Sequence, residues 1–268
     1  MDRVDVDGLS IAYRRAGKGP LLVLLHGALS DSRDWRRQMD SFGADFTVVA
    51  WDAPGCGGSD DLPPTYGLDD FVDTLARFIG VLHRGRPHVL GLSLGGILAI
   101  ALHGRHPDVA RSLVLASAYA GWAGSLTPAE VQRRVQGVVL RDLERNVDEV
   151  AREFVATLLP PDAPAPLVQE QLAMVHDARP ATIRTMVAMI APLDLRPVLP
   201  TIDVPVLLLH GDADVRAPTS VAEALHDQIR GSVLVTLAGV GHCGHVQAPD
   251  RWNRAVLDFL PGPDRWHR

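Results

Sequence analysis

Short apolar, β-branched runs recur along the chain at 21–25, 46–51, 89–92, 113–116, 204–209 and 233–237, each brief enough for a buried strand. Between most of them the spacing changes. Phe71, Leu75, Phe78, Ile79 and Leu82 return every three or four residues, which puts one apolar stripe on an otherwise polar helix. Strands that are apolar without alternation need both faces covered, and the helical crossovers between parallel strands supply that cover. The pattern predicts an α/β fold: a mostly parallel central sheet flanked by helices, with an antiparallel hairpin near Ile11 and Tyr13 at its start.

The alternation stops between about residues 120 and 196, where no strand-like run occurs and several helix starts do. Thr127-Pro128-Ala129-Glu130 has the form of a capping box with proline at the first helical position, and Asn146 with Glu149 repeats the logic. Pro160, Pro161, Pro164 and Pro166 interrupt the helical pattern before further helices expected over 167–176 and 181–190. A helical lid inserted at 120–196 into a core made of 1–119 and 197–268 follows. No internal repeat or low-complexity tract is present.

Composition narrows the function classes. With 268 residues, 47% hydrophobic and 22% charged, the chain can bury a large core. A formal net charge of −6 gives no electrostatic reason to bind nucleic acid or an anionic membrane surface. The longest apolar stretches are a quarter to a third of the roughly 20 residues that cross a bilayer. The start of the chain is acidic and polar, without the apolar run of a signal peptide, so a cytoplasmic location is expected. Cys56 and Cys243 are the only cysteines, too few for a disulfide scaffold and unclustered for zinc, so no metal and no cofactor is expected. The oligomeric state is left open.

The candidate chemistry starts at Ser93. The run at 89–92 leads into Gly91-Leu92-Ser93-Leu94-Gly95-Gly96 and then a helical stretch, which sets the serine on a strand-to-helix turn. G-x-S-x-G is a short pattern; the strand before it and the helix behind it give it a mechanism. A sharp turn strains the serine backbone, the glycines make room for it, and the hydroxyl is lifted clear of the sheet edge. The helix also aims the Leu94 N–H and its dipole at developing negative charge. A serine hydroxyl needs a base to take its proton and an acid to orient that base. Gly211-Asp212-Ala213-Asp214 follows the run at 204–209, and Gly241-His242-Cys243-Gly244-His245 follows the run at 233–237. Two carboxylates and two histidines thus stand where successive loops of a parallel sheet converge.

These motifs resemble the α/β-hydrolase family over nearly the whole chain outside the expected lid. His26-Gly27-Ala28 followed by Trp35 is similar to its oxyanion loop, and Asp52-Ala53-Pro54-Gly55-Cys56-Gly57-Gly58-Ser59-Asp60 to its second glycine-rich loop. The resemblance places the acid on Asp214, with Asp212 serving the turn, and the base on His242, ahead of Pro249. It assigns the oxyanion hole to the Ala28 and Leu94 amides. Substrate-lining positions are expected at His26, Leu29, Tyr119, Trp122, Met186, Met189 and His245; the alternatives are bracing the loop that carries Ala28 for His26, a structural role for His245, and plain core for the aromatic and methionine side chains. Serine at the turn argues against the dehalogenase and epoxide hydrolase branches, which attack with aspartate. The implied activity is hydrolysis of a small-molecule carboxylic ester or lactone through an acyl-enzyme. Carbon–carbon bond hydrolysis or cofactor-free perhydrolysis by the same triad, and slow-turnover ligand sensing as in hydrolase-derived receptors, are the alternatives.

Overall fold

The chain opens with a hairpin of β1 (Asp2–Val6) and β2 (Leu9–Ala16), joined by Asp7 and Gly8, both at positive φ as a two-residue Asp-Gly turn requires. There follow β3 (Leu21–Leu25), α1 (Arg36–Phe42), β4 (Thr47–Trp51), α2 (Leu68–Val81), β5 (His88–Leu92), α3 (Leu94–Arg105) and β6 (Ser112–Ala116). Four helices come next, α4 (Pro128–Val139), α5 (Val147–Ala156), α6 (Ala165–Asp177) and α7 (Pro180–Ile190). The chain then returns through β7 (Val206–Gly211), α8 (Thr219–Gln228), β8 (Val233–Leu237), α9 (Gly244–Gln247) and α10 (Pro249–Phe259). This computed structural model describes residues 1–63, 65–82, 85–139 and 147–260. The expected cap at Asn146 lies outside them, as does the end of the expected core, 261–268.

The strands form one sheet in the order β1-β2-β4-β3-β5-β6-β7-β8. β1–β2 and β2–β4 pair antiparallel and every other pair is parallel. β3 to β7 are buried at every position. Their side chains divide between two cores by the period of two: Leu21, Val23 and Leu25 pack with α2 and α3, while Leu22 and Leu24 pack with α1 and α10. All six strands read from apolar runs are present, with ends shifted by a residue or two. β7 starts at Val206 because Pro205, just before it, has no N–H to give the ladder. β1 escapes the apolar pattern because it is an edge strand with only Val6 fully buried.

Among the four helices between β6 and β7, Thr127 Oγ1 accepts the Glu130 N–H at 3.3 Å, one half of the expected capping box. Pro166, expected to break the helical pattern, instead sits second in α6, where its missing N–H would have had no partner. No helix among the described residues is long and apolar enough to cross a membrane. Because β3, β5, β7 and β8 run parallel, the loops after them meet at one edge of the sheet.

Candidate active site

Ser93 joins β5 to α3 with φ 53 and ψ −108, a strained region for a residue with a side chain. The neighbouring sequence allows this turn. A Cβ on Gly91 would strike the Gly95 carbonyl, and one on Gly95 would strike the Leu25 carbonyl of the central strand β3. The Ser93 N–H is held by Ala116 O at 2.9 Å. Leu94 opens α3, so its N–H belongs to the first turn, which has no acceptor within the helix.

The loop after β7 carries two carboxylates with different work. Asp212 is exposed and accepts the Gly239 N–H at 2.6 Å, closing the turn. Asp214 is buried; its Oδ1 accepts the Arg216 and Ala217 N–H groups at 2.8 and 2.9 Å, and its Oδ2 lies 2.8 Å from His242 Nδ1. Burial pulls the Asp214 pKa up, but the attraction and hydrogen bond of His242, with the Ala217 N–H, outweigh it and hold the carboxyl at about 2. His242, buried on the loop after β8, is lowered below 6.5 because desolvation exceeds the pull of Asp214. At neutral pH the pair is therefore a carboxylate beside a neutral imidazole whose Nδ1–H donates, leaving Nε2 as the acceptor. Ser117, itself at φ 44, donates its hydroxyl to the His242 carbonyl at 3.1 Å.

The loop after β3 supplies the third side. His26 is buried, its Nδ1 donating to Gly27 O at 2.8 Å and its Nε2 accepting the Ala53 N–H at 3.0 Å. Asp52 accepts the Ser32 and Gly58 N–H groups, each at 2.7 Å. These bonds tie the turn of Ala28 and Leu29 to the glycine-rich loop after β4. Ser93, His242, Ala28 and Leu29 then share one cavity with Leu158, Phe154, Asp34, Gln171, Cys243 and Arg216; it holds about 20 Å³, room for roughly one water molecule.

The alpha/beta hydrolase family model matches residues 22–255, from β3 into the last helix, α10. The chain belongs to the alpha/beta hydrolase family. It is an enzyme of that family, and it is 30% identical to a hydrolase from Pseudomonas aeruginosa PA01 of known structure, with a TM-score of 0.87 over 97% of this chain and 98% of that one. It is also 27% identical over 250 residues to a pimeloyl-[acyl-carrier protein] methyl ester esterase of Neisseria meningitidis serogroup C, covering 90% of this chain and 93% of that protein. A serine hydrolase of Mus musculus, BPHL, is 28% identical over 266 residues, 96% of this chain and 85% of the relative.

Several expected lining residues of this hydrolase lie elsewhere. His26 does not face the cavity; both ring nitrogens are committed to backbone groups, so it braces the loop, the alternative weighed for it. His245 is fully buried between Trp35 and Trp252, with ring centroids 4.8 and 5.9 Å away, and its Nε2 is 3.0 Å from Asp34 Oδ1. Tyr119 is buried in the core, its ring centroid 6.5 Å from that of His242 and its hydroxyl 3.4 Å from Arg134 Nη1. Trp122 lies under the Arg134 guanidinium at 5.4 Å. Met186 borders an adjoining crevice beside Leu29, and Met189 packs half-buried against the core. Of the lining set only Leu29 meets the cavity. Aromatic and methionine side chains on these helices fill core, as apolar positions at helical spacing most often do.

Residues the sequence left unmarked take their place. Asp34 comes from the loop after β3, Gln171 from α6, Phe154 from α5, and Leu158 from just beyond α5. Burial raises the Asp34 pKa, yet His245 and the Gln171 Nε2–H, which donates at 3.0 Å, bring it below the usual carboxylate range. Asp34 stands one position before Trp35, which the oxyanion-loop resemblance already marked; no spacing pointed to the other three. Both cysteines are buried, and desolvation pushes Cys56 up to about 12 and Cys243 well above 9.0, so neither offers a thiolate. No group of three or more His, Cys, Asp or Glu among the described residues is arranged as a metal site.

Proposed function

We propose that the chain is a serine ester hydrolase working through an acyl-enzyme, with Ser93 as nucleophile, His242 as base and Asp214 as the orienting acid. The observation that carries this reading is the 2.8 Å contact of His242 Nδ1 with Asp214 Oδ2 beside a cavity that the strained Ser93 also borders. His242 Nε2 takes the Ser93 proton as Oγ attacks the ester carbonyl. Asp214, ionised throughout, holds the imidazole in the tautomer that leaves Nε2 free and stabilises the imidazolium that forms. The Ala28 and Leu94 N–H groups receive the oxyanion; each such donor is worth a hundredfold to a thousandfold in turnover, by about 3–4 kcal/mol. Collapse expels the alcohol with the proton from His242, and water activated by the same histidine releases the acid.

The four helices α4 to α7 act as the lid, within the 120–196 insertion. They bring Phe154, Leu158 and Gln171 to the cavity and are tied to the core at Arg179, which donates to Ser59 O and Gly57 O at 3.0 and 2.9 Å, and at Glu170, which pairs with Arg36 and Arg37 at 2.9 Å. The substrate is a small carboxylic ester or lactone. The similarity to a methyl ester esterase supports ester cleavage over attack on a carbon–carbon bond.

Ser93→Ala lowers kcat on p-nitrophenyl esters by about ten thousandfold or more while leaving the melting temperature near that of the wild type, and it abolishes labelling by a fluorophosphonate read as intact mass. Undiminished hydrolysis in the alanine variant would overturn the assignment. Wild-type protein that takes the label but releases product only stoichiometrically would point to ligand sensing.

A further inference from the structure

Arg216 lies two residues past Asp214, on the loop that follows β7, and borders the cavity of Ser93 and His242. Its Nη1 donates to Thr157 Oγ1 at 3.0 Å, and its guanidinium carbon sits 4.7 Å from the centroid of the Phe154 ring. One of its five N–H groups is thus used by the protein. Among the described residues the others meet no acceptor, and no carboxylate lies within ion-pair distance.

The other arginines close to this region are answered. Arg134, which donates to the Arg216 carbonyl at 2.6 Å, has Glu130 at 2.6 Å. Arg33 has Asp31 at 2.6 Å, and Arg36 and Arg37 share Glu170. Neither Asp34, at the cavity, nor Asp214, two residues before Arg216, hydrogen-bonds to the Arg216 guanidinium. Asp34 is occupied by Gln171 and His245, and Asp214 by His242 and two backbone N–H groups. Arg216 is half-buried; desolvation pulls its pKa down and the neighbouring Arg134 adds to this, against the weaker attraction of Tyr119 and Asp214, which leaves a partly desolvated charge with no carboxylate in direct contact. Such a charge is costly to hold and strongly attracts an incoming anion. A guanidinium presents parallel N–H groups that fit the two oxygens of a carboxylate.

We propose that Arg216 is a specificity residue that binds a second carboxylate on the substrate, so that the preferred esters are half-esters or carboxylate-bearing esters rather than purely apolar ones. The inference rests on the ester-hydrolase reading and gives its site a substrate class. The carboxylate forms one or two charge-assisted hydrogen bonds to Arg216, whose guanidinium rests against the Phe154 ring.

The test compares matched esters. p-Nitrophenyl hydrogen glutarate is set against p-nitrophenyl pentanoate for a carboxylate on the acyl arm, and para-carboxyphenyl butyrate against para-carbamoylphenyl butyrate for one on the alcohol arm. In the wild type one charged member exceeds its neutral partner in kcat/KM by roughly tenfold or more, as expected for hydrogen bonds to a charged group. Arg216→Gln reduces that charged-to-neutral ratio about tenfold to a hundredfold, mainly through KM, and Arg216→Lys restores part of it. A purely structural clasp between the Asp214 loop and α5 would lower both esters by one factor and leave the ratio where it was, which would overturn the proposal. A wild-type ratio of one or below on both arms overturns it without any variant, should Arg216→Gln fail to fold. If neither ester of a pair is cleaved and Ser93 takes no fluorophosphonate label, the hydrolase reading itself has failed.

Discussion

Two opposing effects act on the proton of His242, because the imidazole is buried and has Asp214 Oδ2 2.8 Å from Nδ1. Burial disfavours the imidazolium and the carboxylate favours it; the net result is a pKa below 6.5, while Asp214 is held at about 2. The acid limb of kcat/KM should therefore titrate below 6.5, with no contribution from Asp214 until far lower pH, as a stopped assay from pH 4 upward will show. A limb at or above 6.5 would mean that the carboxylate, not burial, governs the ring. The linkage to stability has the same sign for both groups. The unfolded chain binds a proton at His242 near 6.5 and at Asp214 near 3.8 that the fold refuses, so stability falls as pH drops through those values, the aspartate share being lost between 3.8 and about 2. At this scale the family resemblance pointed to Ser93, Asp214 and His242 as the triad now proposed, since each stands in a local motif. It left His245 and Tyr119 open between lining and structural roles, because whether a side chain faces a cavity or a core depends on residues far away in the chain, here Asp34, Trp252 and Arg134.

The strand, turn and helix around Ser93 show how an element sets the geometry of one residue. α3 follows β5 directly, and the helix lies so close to β3 that a methyl group on Gly95 would collide with the Leu25 carbonyl. Alanine has the better helix propensity by ~1 kcal/mol. A carbonyl of a central strand cannot yield, so Gly95→Ala is expected to lower stability by about 1–3 kcal/mol in urea denaturation despite that gain. Gly137, exposed on α4 with nothing within 4 Å of an added Cβ, is the counterpart, and Gly137→Ala should raise stability by up to about 1 kcal/mol. Equal effects at the two positions would remove the close-packing account. Elements of this kind were largely readable in advance. Continuous apolar runs gave the parallel strands, and the Thr127 and Glu130 pairing gave the start of α4. The edge strand β1 was not readable, since one buried residue in five leaves no pattern.

In the whole molecule, Phe154 of α5, Leu158 just past it and Gln171 of α6 meet the loops of the sheet edge around a cavity of about 20 Å³ beside Ser93 and His242. Leu158 is buried at that cavity, just past α5, so Leu158→Ala should raise the ratio of kcat/KM for p-nitrophenyl octanoate over acetate severalfold, at a cost of about 2–5 kcal/mol in stability. An unchanged ratio would place the acyl chain elsewhere. The sequence by itself determined the layered α/β fold and the order of the loops carrying Ser93, Asp214 and His242, because periodicity, turn chemistry and motif spacing are properties of neighbouring residues. Only the tertiary structure decided which histidines brace loops and that Asp34, Gln171 and Arg216 border the cavity. Those are meetings between residues dozens of positions apart, set by the register of the sheet and the packing of helices over its edge, for which the linear pattern carries no local signal.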